Sequence, residues 1–249
     1  MALSGIRVID LTRILAGPFC TLMLADMGAE VIKVEPPKGD PVRGQGAIKH
    51  GLSWYFSQFN RNKKSIVLDL YTEEGKADLT LLLKSADVLV ENYRPGVLAK
   101  MGFTSEFLEE INPRLICTSV NGYGSTGPYV DRPSFDFIAQ AMSGFMSVNG
   151  AADEDPMRAA PPISDMIAGL YAAFGVVTAL HARQRTGKGQ NVESSLTNGL
   201  ISMMAYLSAE YLATGEIPKR TGNNHPIASP YGLFRASDGR VAVAPSNDV

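Results

Sequence analysis

Short apolar runs with β character alternate along the chain with longer stretches of helical periodicity. Residues 6–10 (IRVID) read as a strand. Gly17-Pro18 opens an apolar helical stretch through Met27 that ends at Gly28, and residues 30–35 (EVIKVE) form the next strand. This is a β-α-β unit, which implies parallel strands joined by a right-handed crossover. The pattern recurs in a predicted strand at 65–70 (SIVLDL), a helix at 73–85 with Leu79, Leu82 and Leu83 on its apolar side, and strands at 87–91 and 115–120. The expected class is α/β, an open, mostly parallel Rossmann-like sheet with helices on both faces.

The second half reads as more helical. Helices are expected at 136–147, 164–183 and 196–212, with a short strand at 190–194 and a turn at Ser237-Asp238-Gly239-Arg240 between two short β runs. Residues 166–182 (MIAGLYAAFGVVTALHA) imitate a membrane span. The run falls short of the roughly 20 apolar residues a span requires and is rich in Gly and Ala. It therefore reads as a buried core helix whose small residues admit close neighbours. Two long loops, 36–61 and 214–230, are candidate lids or binding loops. The expected division is a large α/β domain at 1–213, followed by a linker and the start of a smaller α+β domain at 214–249. Residues 245–249 supply no closing element, so the natural protein is expected to continue.

Composition narrows the function. Lys plus Arg number 23 and Asp plus Glu 25, a formal charge of −2. That lacks the basic surplus of a general nucleic-acid binder. Cys20 and Cys117 lie in apolar runs and read as small buried hydrophobes of a reducing compartment, not as a disulfide framework. The histidines and cysteines form no metal-ligand spacing, and the first ten residues carry no secretory pattern. A cytoplasmic protein with no membrane or nucleic-acid partner is expected.

Several segments could carry chemistry. Gly122 to Gly127 fits G-x-G-x-x-G after a strand, but Pro128 and Pro133 follow where a dinucleotide fold needs a helix, so a glycine-rich turn is favoured. Asp165 stands where the long apolar helix begins. It suits the helix macrodipole as a simple first-turn acid. Equally, it could project into a cavity as a nucleophile whose ionised form is stabilised by helix N–H groups. Asn60 to Lys64 and Asn92-Tyr93-Arg94, followed by Lys100, combine amide, aromatic and basic groups next to strands. Such loops either are solvated or hold a phosphorylated nucleotide beyond the strand ends. His225 reads as a loop histidine.

Taken together, the blocks GIRVIDLTRILAGPFCTLMLADMGAEVIKVE, NRNKKSIVLDL, VENYRPGVLAKMGF, GYGSTGPY, FDFIAQAMSG and GNNHPIASPYGLF resemble the family III CoA-transferases, the formyl-CoA transferase group related to α-methylacyl-CoA racemase. The resemblance implies a CoA-transferase that moves CoA from an acyl-CoA thioester to a carboxylic acid. No cofactor would be tightly bound, with coenzyme A serving as substrate and carrier. It also implies an interlocked homodimer of longer chains. It places the nucleophile on Asp165. CoA contacts fall on Leu15 and Ala16, on Leu68, Asp69, Leu70 and Tyr71, on Asn92, Tyr93 and Arg94, on Lys100, and on Phe135 and Asp136. Some relatives carry an arginine where this chain has Pro36, a loss that Lys38 or Arg43 would offset. The loop at 222–226 corresponds to one that covers the acyl site. The racemase branch has an acid–base histidine where this chain has Phe135, which cannot exchange a proton, so transfer is preferred to racemisation. A CoA-binding remnant without activity is the non-enzymatic alternative.

Overall fold

In the computed structural model, residues 1–245 are described. Residues 246–249, which contribute to the expectation of an unclosed end, lie outside the described residues. The core is a six-stranded sheet of β1 (Arg7–Asp10), β2 (Glu30–Glu35), β5 (Lys63–Val67), β6 (Val88–Glu91), β7 (Ile116–Asn121) and β8 (Asn191–Ser195). Their spatial order is β5-β2-β1-β6-β7-β8, and every pairing is parallel. The order reverses between β1 and β6. Chain leaving β1 turns one way across the sheet and chain leaving β6 turns the other, which opens a crevice beyond their carboxyl ends.

Successive residues of the central strands face opposite sides, and both sides are covered. Val8, Val88, Val90, Ile116 and Val120 pack with α1 (Ala16–Asp26) and α8 (Ile163–Thr186). Ile9 and Leu89 pack on the other face with Leu79 and Leu83 of α3 (Glu73–Lys84) and Leu108 of α5 (Ser105–Ile111). Helices on both faces of a parallel sheet are thus present as expected. α8 has 24 residues and is long and apolar enough to cross a membrane, yet its sheet-facing side is part of the core. Its glycines explain the packing. A Cβ on Gly169 would lie 2.5 Å from the Ala16 carbonyl oxygen, and one on Gly175 would lie 2.6 Å from Val192 Cγ1.

The structure corrects several sequence expectations. The helix expected over 136–147 is two pieces, α6 (Asp136–Met142) and α7 (Phe145–Val148), separated at Gly144 with φ +83°. Glycine adopts that conformation without penalty. The helix expected over 196–212 divides into α9 (Leu196–Met203) and α10 (Tyr206–Thr214) at Ala205, φ +50°, where no glycine or proline marks the break. The loop at 36–61 is largely structured, with a 3-10 turn at Pro41–Gly44, a small hairpin of β3 (Ile48–Lys49) and β4 (Leu52–Ser53), and α2 (Trp54–Asn60). Ser53 caps α2 by accepting the Phe56 N–H, and edge-to-face contacts run from Tyr55 to Phe59 to Phe19 on α1. α4 (Val97–Lys100) follows β6. The hairpin of β9 (Gly232–Arg235) and β10 (Arg240–Val243) is antiparallel around the expected turn. Cys20 is buried in α1, and Cys117 is half-buried in β7.

Candidate active site

A cavity of about 250 Å³ opens at the reversal of strand order. It is lined by the loop after β1, from Arg13 to Ala16, and by the loop after β6, Asn92 to Pro95. Asn121 at the end of β7 and Gly122 after it, Arg132 and Phe135, and Asp165 from the start of α8 complete the lining named here. Six of the residues that sequence reasoning assigned to CoA, namely Leu15, Ala16, Asn92, Tyr93, Arg94 and Phe135, therefore meet Asp165 in one cavity. The others do not line it. Leu70 is a core residue, Asp69 accepts the Tyr71 N–H within a turn, Tyr71 is exposed, Leu68 packs against the core, and Lys100 ends α4. Asp136 also lies outside the lining.

Asp165 is the third residue of α8 and is half-buried. Among the described residues no hydrogen bond or ion pair reaches its carboxylate. The Ile163, Ser164 and Met166 N–H groups of the first turn have other acceptors. Asp136 Oδ1 accepts the Ser164 N–H at 3.0 Å and the Ser164 hydroxyl at 2.9 Å, while Asp136 Oδ2 accepts from Gln140 Nε2 at 2.7 Å. Asp136 thus serves as the cap that Asp165 was expected to resemble. Burial, followed by the negative charge of Asp136, pushes the Asp165 carboxyl up to about 7. The expectation that helix N–H groups favour the ionised form is therefore reversed, because desolvation and a like charge outweigh the helix end. A desolvated carboxyl poised near neutrality in a cleft is a mark of functional sites.

Around Asp165 the wall is cationic and aromatic. Arg13 lies over the Tyr93 ring, 5.5 Å from its centroid, and Arg132 over Tyr129 at 4.5 Å. The Asn92 amide is wholly occupied with the backbone of Arg13. It accepts the Arg13 N–H at 2.9 Å and donates to the Arg13 carbonyl at 2.8 Å, and so it shapes the wall. Burial pushes the Tyr93 hydroxyl up to about 12.

The basic run at 60–64 has a different use from nucleotide binding. Lys63 is buried, and its Nζ donates to Asp10 Oδ2 at 3.0 Å and Thr21 Oγ1 at 2.7 Å. Burial works to raise Asp10, but the Lys63 and Lys33 ammonium groups and the Thr12 and Thr21 hydroxyls hold it below its ordinary value. Arg43 is engaged as well, with Nε donating to Glu35 Oε2 at 2.7 Å and Nη2 donating to Glu35 Oε1 at 2.6 Å. It is therefore committed to a carboxylate and does not stand free to replace the arginine missing at Pro36. The Gly122–Gly127 segment is a turn tied to Glu193 and Thr197, with no helix until Asp136, so a dinucleotide site is absent there.

Sequence reasoning missed Arg13, Arg132 and Tyr55. The first two stand beside segments already singled out, and proximity in sequence was the available signal. Tyr55 lies in α2, inside the stretch read as an irregular loop. Burial, then the charges of Asp165 and Asp40, push its hydroxyl up to about 12, which marks it as a neighbour of the carboxylate. Among the described residues no cluster of three or more metal-ligating side chains occurs.

The sequence is 44% identical over 247 residues to an acetyl-CoA:oxalate CoA-transferase of Acetobacter aceti, covering 98% of this chain and 64% of that protein. It is likewise 44% identical over 254 residues to a succinate–glutarate CoA-transferase of Agrobacterium fabrum, covering 99% and 64%. The chain thus spans a little under two thirds of the length of these relatives. A crystal structure of a CAIB/BAIF family protein from Brucella suis superposes with a TM-score of 0.92 at 42% identity, over 99% of this chain and 66% of that one. The sequence model described as CoA-transferase family III matches residues 3–249, and the chain belongs to that family.

Proposed function

We propose that this chain carries the CoA-binding and nucleophilic part of an acyl-CoA:carboxylate CoA-transferase, with Asp165 as the nucleophile. The observation that carries the reading is a half-buried carboxylate, without a hydrogen-bond partner among the described residues, in a cavity at the switch point of the sheet. Such a group is destabilised by its surroundings when ionised, and attack on a thioester relieves that cost.

The chemistry follows in four balanced steps. An Asp165 oxygen attacks the thioester carbonyl of the donor. The C–S bond breaks, leaving an aspartyl–acyl anhydride and CoA thiolate. The thiolate attacks the aspartyl carbonyl, the anhydride C–O bond breaks, and the donor acid leaves as a carboxylate. The acceptor carboxylate then displaces the thiolate from the aspartyl thioester to form a second anhydride. Finally the thiolate takes the acceptor acyl group, and the Asp165 carboxylate is restored. CoA stays bound between steps, which suits a preformed nucleotide-binding wall.

Arg13, Arg94 and Arg132 surround the cavity and would face CoA phosphates or a substrate carboxylate. The relatives described above are named for oxalate, succinate and glutarate, which favours dicarboxylic substrates. Lys100 and the 68–71 turn would meet CoA outside the cavity proper. Phe135 lines the cavity where epimerisation would need a proton carrier, and this supports transfer. We assign residues 1–213 to the CoA-binding domain and 214–249 to the start of a second one. A homodimer is supported by apolar side chains left exposed on α8 and α10, among them Phe174 at 70% and Leu212 at 82%. A cytoplasmic location is in keeping with free cysteines. The test is mass spectrometry of the full chain mixed with succinyl-CoA and trapped with hydroxylamine. The expected adduct maps to Asp165 and is lost in Asp165→Ala, whereas an adduct elsewhere, or none, refutes the assignment.

A further inference from the structure

The loop that walls the cavity contains a strained residue. Ile14 has φ +71°, a conformation that a β-branched side chain rarely adopts. Such strain persists only where neighbours over-determine it, and here each of three successive residues is held. Asp10 Oδ1 accepts the Thr12 N–H at 2.8 Å, and Lys33 Nζ donates to the Thr12 carbonyl at 2.7 Å. The Asn92 amide takes both backbone groups of Arg13. The Asp40 carboxylate accepts the Ile14 N–H at 3.3 and 3.4 Å.

Asp40 is the hub of this arrangement. It is 2% exposed, pairs with Lys33 Nζ at 2.9 Å, and caps the Pro41–Gly44 turn through the Val42 N–H at 3.1 Å. Its own N–H donates to Glu35 Oε2 at 2.9 Å. Ile14, which it holds by hydrogen bond, and Pro41, which follows it in the chain, both line the cavity. Asp40 and Lys33 do not. A buried pair of this kind stabilises a fold weakly, since desolvation offsets much of the attraction. Its distinctive effect here is geometric.

We propose that the buried Lys33–Asp40 pair is a positioning device that holds Ile14 in its left-handed conformation and so gives the Asp165 cavity its wall. The inference rests on the transferase reading for its consequence, acyl-CoA affinity, but not for its conformational content. Without the carboxylate, Ile14 relaxes toward extended backbone and the wall shifts. A glycine at position 14 has no such preference and keeps the wall accessible.

The experiment is a double-mutant cycle in the full chain. Asp40→Asn is expected to raise KM for succinyl-CoA roughly tenfold while kcat changes less than about threefold. Adding Ile14→Gly to Asp40→Asn is expected to recover most of that loss, an effect that general destabilisation would not produce. Hydrogen exchange at the Ile14 amide, which needs no activity, is expected to accelerate at least about tenfold in Asp40→Asn. If Asp40→Asn does not fold, Lys33→Gln/Asp40→Asn leaves no buried cation unpaired and is read in the same way. Wild-type KM and exchange in the variant, or a KM defect that Ile14→Gly leaves untouched, overturns the proposal. An inactive wild type whose Ile14 amide still depends on Asp40 overturns the transferase reading alone.

Discussion

Asp165→Asn is expected to stabilise the folded protein relative to wild type as the pH rises, while removing the proposed nucleophile. The carboxyl sits at about 7 in the folded chain against 3.8 in its unperturbed state. Because its folded value is raised, the native state binds the proton more tightly than the unfolded state does, and stability falls as the pH climbs from 3.8 towards 7. At pH 5 the unfolded carboxyl is already ionised and the folded one is protonated. By pH 8 both are ionised, and the folded state bears the whole cost of the buried charge. Integrated between these limits, the wild type loses about 2–3 kcal/mol relative to a variant with no charge at this position. Asparagine keeps nearly the same volume and does not titrate, and all other groups are common to both proteins. The stability difference, Asp165→Asn minus wild type, is therefore expected to grow by that amount from pH 5 to pH 8. Urea unfolding at pH 5, 6, 7 and 8 measures it. A difference that stays constant across the series refutes the reasoning, because it would mean that Asp165 is as well solvated in the folded chain as in the unfolded one.

The same carboxyl sets a kinetic expectation: single-turnover acylation by succinyl-CoA rises through about pH 7 and levels off above it, since only the ionised form attacks. A rate independent of pH from 5 to 8 contradicts this. Gly169→Ala places a Cβ 2.5 Å from the Ala16 carbonyl oxygen and 3.3 Å from the Cys20 nitrogen, both backbone atoms. It is expected to force α1 and α8 apart at a cost of about 1–3 kcal/mol, read as a lower denaturation midpoint. An unchanged midpoint would show that the two helices yield freely.

The strands of the sheet were legible because the central ones are short continuous apolar runs, and such runs imply burial on both faces. The crossover helices followed from Gly17-Pro18 and Gly28 around the first and from the apolar side of Leu79, Leu82 and Leu83 in the second. The interruptions of α6 and α9 were less visible. Gly144 carries a signal that an apolar window overrides, and Ala205, whose φ is +50°, carries none. The roles of the charged residues were harder still. In sequence the run holding Lys63 reads as solvated or nucleotide-binding and Arg43 as a replacement for an arginine at Pro36, because neither carboxylate partner is marked in sequence. Lys63 meets Asp10 across 53 positions and Arg43 meets Glu35 across eight. Asp165 was found from its place at a helix start, together with the family likeness, but its electrostatic state was not. The sequence shows an acid next to helix N–H donors. It does not show that Asp136, 28 residues before Ser164, accepts the Ser164 N–H.

That exchange of roles explains how one fold tolerates two carboxylates so close together. Asp136 is satisfied by Ser164 and Gln140, so its charge is held in place. Asp165, left without donors and facing that charge, bears the penalty alone. The asymmetry costs stability, and the surroundings make it up through apolar burial along α8, whose inner side contributes Ala168, Ala172, Ala173 and Val176 to the core. The loop after β1 is likewise held from behind by Asp40 and Lys33, whose side chains contact Ile14 and Thr12 and do not line the cavity. Rigidity around the pocket thus comes from buried polar contacts behind its walls, and the walls themselves remain free to meet a ligand.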